Sequence, residues 1–458
     1  MIRQWDSFPT FKRDCCEVDA SAPEDTMTAE IVIMNKEAVA LAADSAVSLV
    51  IGPSESPQKI FTSANKIFGL SDNHAVSLMI YNNASFLGVP WEPVFTRFEE
   101  SLGTVPLLTL ADYANRFISF LKSEQELITP EIEKQYFTSL IYTYYLSFRT
   151  LFQQQASEMI RDLGVINEDQ IGEIVAGKIN SFYEQISSTE YVAGADSSII
   201  RALTTVYEEV TKKAIADVFE ELPIPDPARV QLQEIPLLFF LKVTGMQDPS
   251  SQNFSGIVIT GFGKQEIYPS LITYSVDGRL SGILKYAEIE NRKITPEYGA
   301  YVIPFAQREM VDIFMSGVDS RLVTALVESL AEIFNEYPQA IVDSIETMGE
   351  DEKSNLKNQF QPKSDDLVER ISTYLDNYRA SNSTPILNVV ISLPKTELAA
   401  MAESLVNLTS LKRKVSLTAE TVGGPVDVAV ISKRDGFVWI KKKQYFQQEL
   451  NPQLINHN

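Results

Sequence analysis

Two histidines and two cysteines are all that 458 residues offer, and this scarcity decides which chemistry is open. His74 stands in the cluster Ser71-Asp72-Asn73-His74, which reads as a surface turn, and His457 is next to last. A Ser-His-Asp triad therefore lacks a candidate base, and a multi-histidine metal site is out of reach. Cys15 and Cys16 are adjacent, which leaves no disulfide framework and no cysteine-based zinc site. No metal or organic cofactor is expected. A hydrolytic reaction would have to take its general base from a carboxylate, a lysine or a free α-amine. Asp44 stands out because it interrupts the apolar run Ala38-Val39-Ala40-Leu41-Ala42-Ala43, and a buried carboxylate needs a partner.

Composition narrows the partners. Acidic residues outnumber basic ones by 61 to 39, for a formal charge of −22; nucleic-acid binding runs on Lys and Arg and is not expected. The small cluster Lys441-Lys442-Lys443 does not reverse this. The longest strong apolar runs, such as Ile235 to Leu241, fall far short of the roughly 20 residues that span a bilayer. With no charged segment leading into an apolar one at the N-terminus, a cytoplasmic protein without membrane contact is expected.

The elements follow from periodicity. Residues 1–26 show none and read as an unstructured leader. Ile31 to Met34 and Ala38 to Ala43, around the turn Asn35-Lys36-Glu37, predict a buried β-hairpin, and residues 66–70 and 75–80 a second. From about 84 to 222 apolar residues recur at helical spacing, and the aromatic stretch Tyr142 to Phe152 reads as bundle core. Pro223, Pro225 and Pro227 close that block. Strands are expected at 256–261 and 270–276 with a turn at Asp277-Gly278, then at about 309–315 and 386–393. Helices are expected at 319–336, 366–380 and 396–409, with a flexible acidic stretch near 349–366 and a last hairpin over 426–440. This order suits an α+β core interrupted by a large helical insertion, with no internal repeat.

Thr28-Ala29-Glu30-Ile31-Val32-Ile33, followed by Val39-Ala40-Leu41-Ala42-Ala43-Asp44-Ser45 and Asn65-Lys66-Ile67-Phe68, resembles the opening of a proteasome β subunit. Asp44 lies sixteen positions after Thr28, the separation found in that family. Gly256 to Phe262, Pro269 to Gly278 and Ser316-Gly317 resemble its central hairpin and its Ser-Gly before the third helix. Thr421 to Asp427 is similar to a segment of Anbu, the bacterial proteasome relative. The resemblance covers roughly residues 28–100, 255–335 and 395–445.

The resemblance implies an N-terminal-nucleophile (Ntn) hydrolase: an αββα sandwich of two antiparallel sheets between helix layers, with large helical insertions. The core would be made of residues 28–103, 251–345 and 395–458, interrupted at 104–250 and 346–394 and preceded by 1–27. It further implies Thr28 as nucleophile with its own free α-amine as base, Asp44 and Lys66 as electrostatic partners, Ser316 as a helper, and an oxyanion site near Tyr81 to Asn83. A free α-amine has a reference pKa of about 7.7–8.0, which suits it to that task. Lys59 rivals Lys66, since both precede Ile-Phe; choosing Lys66 assumes a six-residue insertion in the loop. Ser316 equally suits a helix N-cap. Glu420 or Thr421 would substitute for the family's Asp-x-x-Ser-Gly-Gly, and Gly423-Gly424 reads as a tight turn. Met27 precedes Thr28, so initiation there, or cleavage of a propeptide, would free the amine. The expected function is a threonine-type peptidase that forms homo-oligomers, a ring or a short helical assembly. The rivals are a non-catalytic assembly protein of the same fold and a small-molecule amidase with the same nucleophile.

Overall fold

A computed structural model describes residues 29–50, 58–61, 63–71, 73–163, 167–220, 222–243, 254–415 and 423–444. In chain order the elements begin with β1 (Ala29–Asn35), β2 (Ala38–Ala43), β3 (Val47–Val50), β4 (Gln58–Phe61), β5 (Ile67–Gly69), β6 (Val76–Asn82), β7 (Ser85–Phe86) and β8 (Val89–Pro90). Six helices follow: α1 (Trp91–Leu102), α2 (Leu110–Ser123), α3 (Pro130–Leu163), α4 (Glu168–Ser187), α5 (Ser197–Phe219) and α6 (Asp226–Leu241). The chain returns to strands at β9 (Ser255–Gly261), β10 (Ser270–Leu280), β11 (Ile283–Lys293) and β12 (Ala300–Ala306). It ends with α7 (Glu309–Ser316), α8 (Ser320–Asp343), α9 (Glu350–Val390), α10 (Lys395–Val415), β13 (Asp427–Ser432) and β14 (Gly436–Lys441).

Two antiparallel five-stranded sheets form the centre, in the orders β12-β1-β2-β13-β14 and β11-β10-β9-β6-β5. The mixture of helices and antiparallel sheets makes the chain α+β. Strand alternation sorts β1 and β2 cleanly. Val32, Met34, Val39 and Leu41 meet Met79, Val258 and Leu271 of the second sheet, while Ile31, Ile33, Ala40 and Ala42 turn outward onto α10 at Leu398, Ala402 and Leu405. Because both faces are covered, β2 is apolar throughout and β1 is apolar except at Glu30 and Asn35. The outer face of the second sheet takes α1 and α2, with Trp91, Phe95, Phe98 and Phe117 packed over Leu78, Ile257 and Ile259. Helices α3 to α6 have their own core, including Tyr145, Phe148 and Phe152.

Several expected elements differ. Residues 309–315 are helix α7, not a strand; the strand lies just before, at Ala300–Ala306. Pro304 hid it, and is tolerated because β12 is an edge strand. Residues 386–393 and the acidic stretch 349–366 belong largely to helix α9, with Pro362 and Pro385 inside it. A short apolar run at the end of a long helix looks like a strand when its polar first half is set aside. Asp277-Gly278 is a register shift within β10, and the real turn is Ser281-Gly282, both at positive φ. The proline-rich segment ends one helix only to start α6, where a proline suits the first turn. His74 is buried, not on the surface: Nδ1 lies 2.7 Å from the Tyr113 hydroxyl and Nε2 3.0 Å from Gly103 O. Its turn does form, with His74 N donating to Ser71 O, but α2 lies over it.

Tyr81 stands opposite Gly256 across the β6–β9 pairing, and a Cβ at Gly256 would come within 2.0 Å of its ring. Phe254 and Phe305 hold that ring from other sides. Gly256→Ala is expected to cost about 1–3 kcal/mol through overpacking, seen as a lower urea midpoint; an unchanged midpoint would show that Tyr81 is free to move.

Candidate functional site

The buried charges collect where β1 begins. Glu30 shares the face of Val32 and Met34, which points at the second sheet. Asp44 follows the last residue of β2, and Lys66 precedes β5. Lys66 Nζ lies 2.5 Å from Asp44 Oδ1 and 3.0 Å from Glu30 Oε1, with all three side chains at most 3% exposed. The same Asp44 Oδ1 accepts the N–H of Ala29 at 3.1 Å, and Asp44 Oδ2 accepts the N–H of Gly423 at 3.1 Å. Asp44 N in turn donates to Ala29 O at 3.1 Å. One carboxylate thus ties together the first residue of β1, the lysine before β5 and the loop before β13. Ser45 Oγ adds a bond to Pro425 O at 2.7 Å.

Burial by itself would depress the Lys66 pKa. The charges of Asp44 and then Glu30, with hydrogen bonds to both, outweigh it and raise the pKa above the ordinary lysine value. Lys66 is therefore a fixed cation and not a proton acceptor near neutral pH. With both carboxylates ionised the cluster carries one net negative charge. Burial also raises the Tyr81 hydroxyl pKa; Arg308 opposes this, while Glu30 and Glu290 reinforce it.

Ala306 pairs with Ala29 and has φ of 54°, a left-handed conformation costly for alanine. It turns the chain out of β12 into a cleft of about 350 Å³, lined among others by Gln307, Arg308, Met310, Arg321 and Arg413. The cleft therefore opens beside the first residue of β1. At the end of β6, Asn82 also has positive φ (63°) and still pairs with Ser255.

Of the expected site residues, the structure brings Asp44 and Lys66 together. Thr28 lies outside the described residues, as do Glu420 and Thr421; its neighbour Ala29 is the residue bonded to Asp44. Lys59 sits on β4, opposite Leu49 in a separate two-stranded ribbon. Ser316 is not part of the cluster's hydrogen bonds. It ends α7 instead of following a strand, and its hydroxyl lies 2.6 Å from Asp312 O and 2.8 Å from Val318 O. Nor is it an N-cap, since Asp319 caps α8. Glu30 joins the cluster without being among the expected residues, although a lone glutamate in Ala-Glu-Ile-Val-Ile-Met is the same signal that marks Asp44. Gly423 proves to be a backbone donor to Asp44. No protein-family model matches the chain, and a comparison with curated proteins likewise gives no match.

Removing Lys66 would leave two buried carboxylates without their cation. Lys66→Met is expected to lose about 3–5 kcal/mol near neutral pH, with the loss shrinking at acid pH as a carboxyl takes up a proton. In the native chain the sign runs the other way. A raised lysine pKa stabilises fully below the unfolded value of about 10.4, and that contribution disappears as pH rises through the folded value. Urea denaturation of both proteins at pH 5, 7.5 and 10.5 checks this; a loss independent of pH would contradict it.

Proposed function

We propose that the chain is an N-terminal-nucleophile hydrolase that cleaves peptide or other amide bonds through Thr28. The observation that carries this reading is the single Asp44 oxygen shared by the Ala29 N–H and the Lys66 ammonium. Residue 28 is joined in the chain to that same Ala29 nitrogen, and the other partner of the shared oxygen is the buried Lys66 ammonium. Two further features support it. Two antiparallel sheets stacked face to face with helices outside them match the αββα sandwich, and the open cleft begins next to β1.

The chemistry follows from these positions. Once Met27 and all before it are removed, the Thr28 amine in its neutral form takes the proton from the Thr28 hydroxyl. The oxygen attacks the amide carbonyl, and the Lys66 charge stabilises the oxygen as its proton leaves. The amine of the substrate departs with that proton, leaving an ester on Thr28 that water then hydrolyses. The oxyanion donor belongs at the end of β6, where Asn82 turns the chain. Glu30 and Asp44 keep Lys66 charged and in place. The negative excess of the cluster also favours the α-ammonium form, which is inactive as a base.

Intact mass and N-terminal sequencing of the protein from its native host should find a chain beginning at Thr28, and that chain should hydrolyse fluorogenic peptides. Thr28→Ala should abolish this at unchanged fold. A chain that keeps residues 1–27, or activity that survives the substitution, would overturn the reading. Hydrolysis of simple amides without peptides would narrow it to an amidase.

The role given to Glu30 is tested separately. Glu30→Gln removes one negative charge near the amine, so the acid limb of the kcat/KM profile should move to lower pH by on the order of one unit. A limb that stays in place would remove Glu30 from the account.

A further inference from the structure

The helical hairpin α8–α9 carries an apolar face that nothing among the described residues covers. Its register is set by three contacts: Arg379 to Ser320 Oγ, Ser364 Oγ to Phe334 O, and Gln361 Nε2 to Asn335 Oδ1. The two helices are thus antiparallel. Leu322 stands level with Tyr378, Leu326 with Tyr374, and Ile333 with Leu367, and all six are exposed. Each lies one position before a residue of the helix–helix seam: Val323, Val327 and Phe334 on α8, and Arg379, Leu375 and Val368 on α9, all buried or half-buried. One residue is a rotation of about 100°. Since the helices run in opposite directions, that same step turns both stripes toward the same side of the hairpin. The result is an apolar face whose α8 ridge, Leu322 to Ile341, runs about 29 Å at 1.5 Å per residue, with the α9 ridge, Leu367 to Tyr378, beside its half nearer the base.

The spacing along α8 identifies what covers it. Leu322 and Ile341 are equidistant from a point between Ala331 and Glu332. So are Leu326 and Tyr337, and so are Leu330 and Ile333. A ridge with this symmetry is complementary to itself when a second α8 is laid on it antiparallel, because a two-fold contact needs residue i to meet j and j to meet i. Charge selects the same direction. Residues 343–352, at the tip, hold five acidic side chains and no basic one. At the base of the hairpin Arg308, Arg321, Lys412 and Arg413 line the cleft together with Glu309, Asp312 and Asp319. Antiparallel pairing brings the acidic tip of each copy to the base of the other, whereas parallel pairing would set tip against tip.

We infer that the α8–α9 hairpin is a two-fold interface between two copies of this chain, closing into a four-helix bundle with Leu326 of one copy beside Tyr337 of the other. This does not depend on the hydrolase reading. Sedimentation equilibrium of the full chain should give an even number of copies. Ile333→Glu should halve that number with the far-ultraviolet circular dichroism unchanged, while Val230→Glu, on the exposed side of α6, should leave it as it is. Should Ile333→Glu fail to fold, cross-linking decides. With Cys15 and Cys16 replaced by serine, a mixture of Leu326→Cys and Tyr337→Cys chains should form a disulfide-linked dimer under mild oxidation, well above either chain alone. A monomer at 100 µM (a concentration on the order of a hundred times a micromolar Kd), an assembly indifferent to Ile333→Glu, or a mixture that does not cross-link would each overturn the interface.

Discussion

An ammonium held between two carboxylates, with none of the three reached by solvent, is the interaction on which the architecture turns. Desolvating such charges is expensive, and the attraction among them recovers that cost only when the geometry is good and the remaining oxygen lone pairs are satisfied. Asp44 meets this condition through backbone N–H groups from Ala29 and Gly423 in addition to Lys66. Those partners come from separate stretches of chain, so β1, β2, β5 and the loop before β13 must all be in register before the cluster can close. A merely stabilising core would be better served by apolar side chains of the same volume. That the chain keeps three charges here is what directs attention to chemistry at this end of the sheets.

The two sheets supply the rigidity that such a cluster needs. Their shared core is filled by aliphatic and aromatic side chains from both faces, and helices close both outer surfaces. The charged cluster gathers at strand ends. Glu30 is the second residue of β1, Asp44 follows β2, Lys66 precedes β5 and Asn82 ends β6. Placing charged groups at the ends of well-packed strands lets them be held by backbone hydrogen bonds. The left-handed Ala306 belongs to the same design, since it steers β12 away from β1 and leaves room for the cleft.

Much of this was legible in the residues. The β1–β2 hairpin, the β5–β6 hairpin and the final β13–β14 hairpin follow from apolar runs bounded by turn residues, and Asp44 announced itself by breaking such a run. Lys66 was separable from Lys59 because it opens a hairpin directly. What could not be read had physical causes. Pro304 concealed β12, as edge strands break the rule that proline leaves sheets. The end of α9 imitated a strand because Ile386, Leu387, Val389 and Val390 crowd together within one turn and a half of helix. Ser316 attracted attention as a Ser-Gly pair, but the glycine there is a left-handed helix cap, a use of Ser-Gly that needs no chemistry. His74 is buried by tertiary packing of α2, which no local pattern reports.

In the function proposed here, this cluster serves an amine and a hydroxyl on one residue, number 28. A peptide epoxyketone tests it directly, because a stable cyclic adduct requires both groups on the same residue. After incubation and proteolysis, mass spectrometry should find the adduct on Thr28, and Lys66→Met should suppress its formation. An adduct at Ser45, Ser316 or any other position, or an unmodified Thr28 in a chain that hydrolyses peptides, would contradict the account.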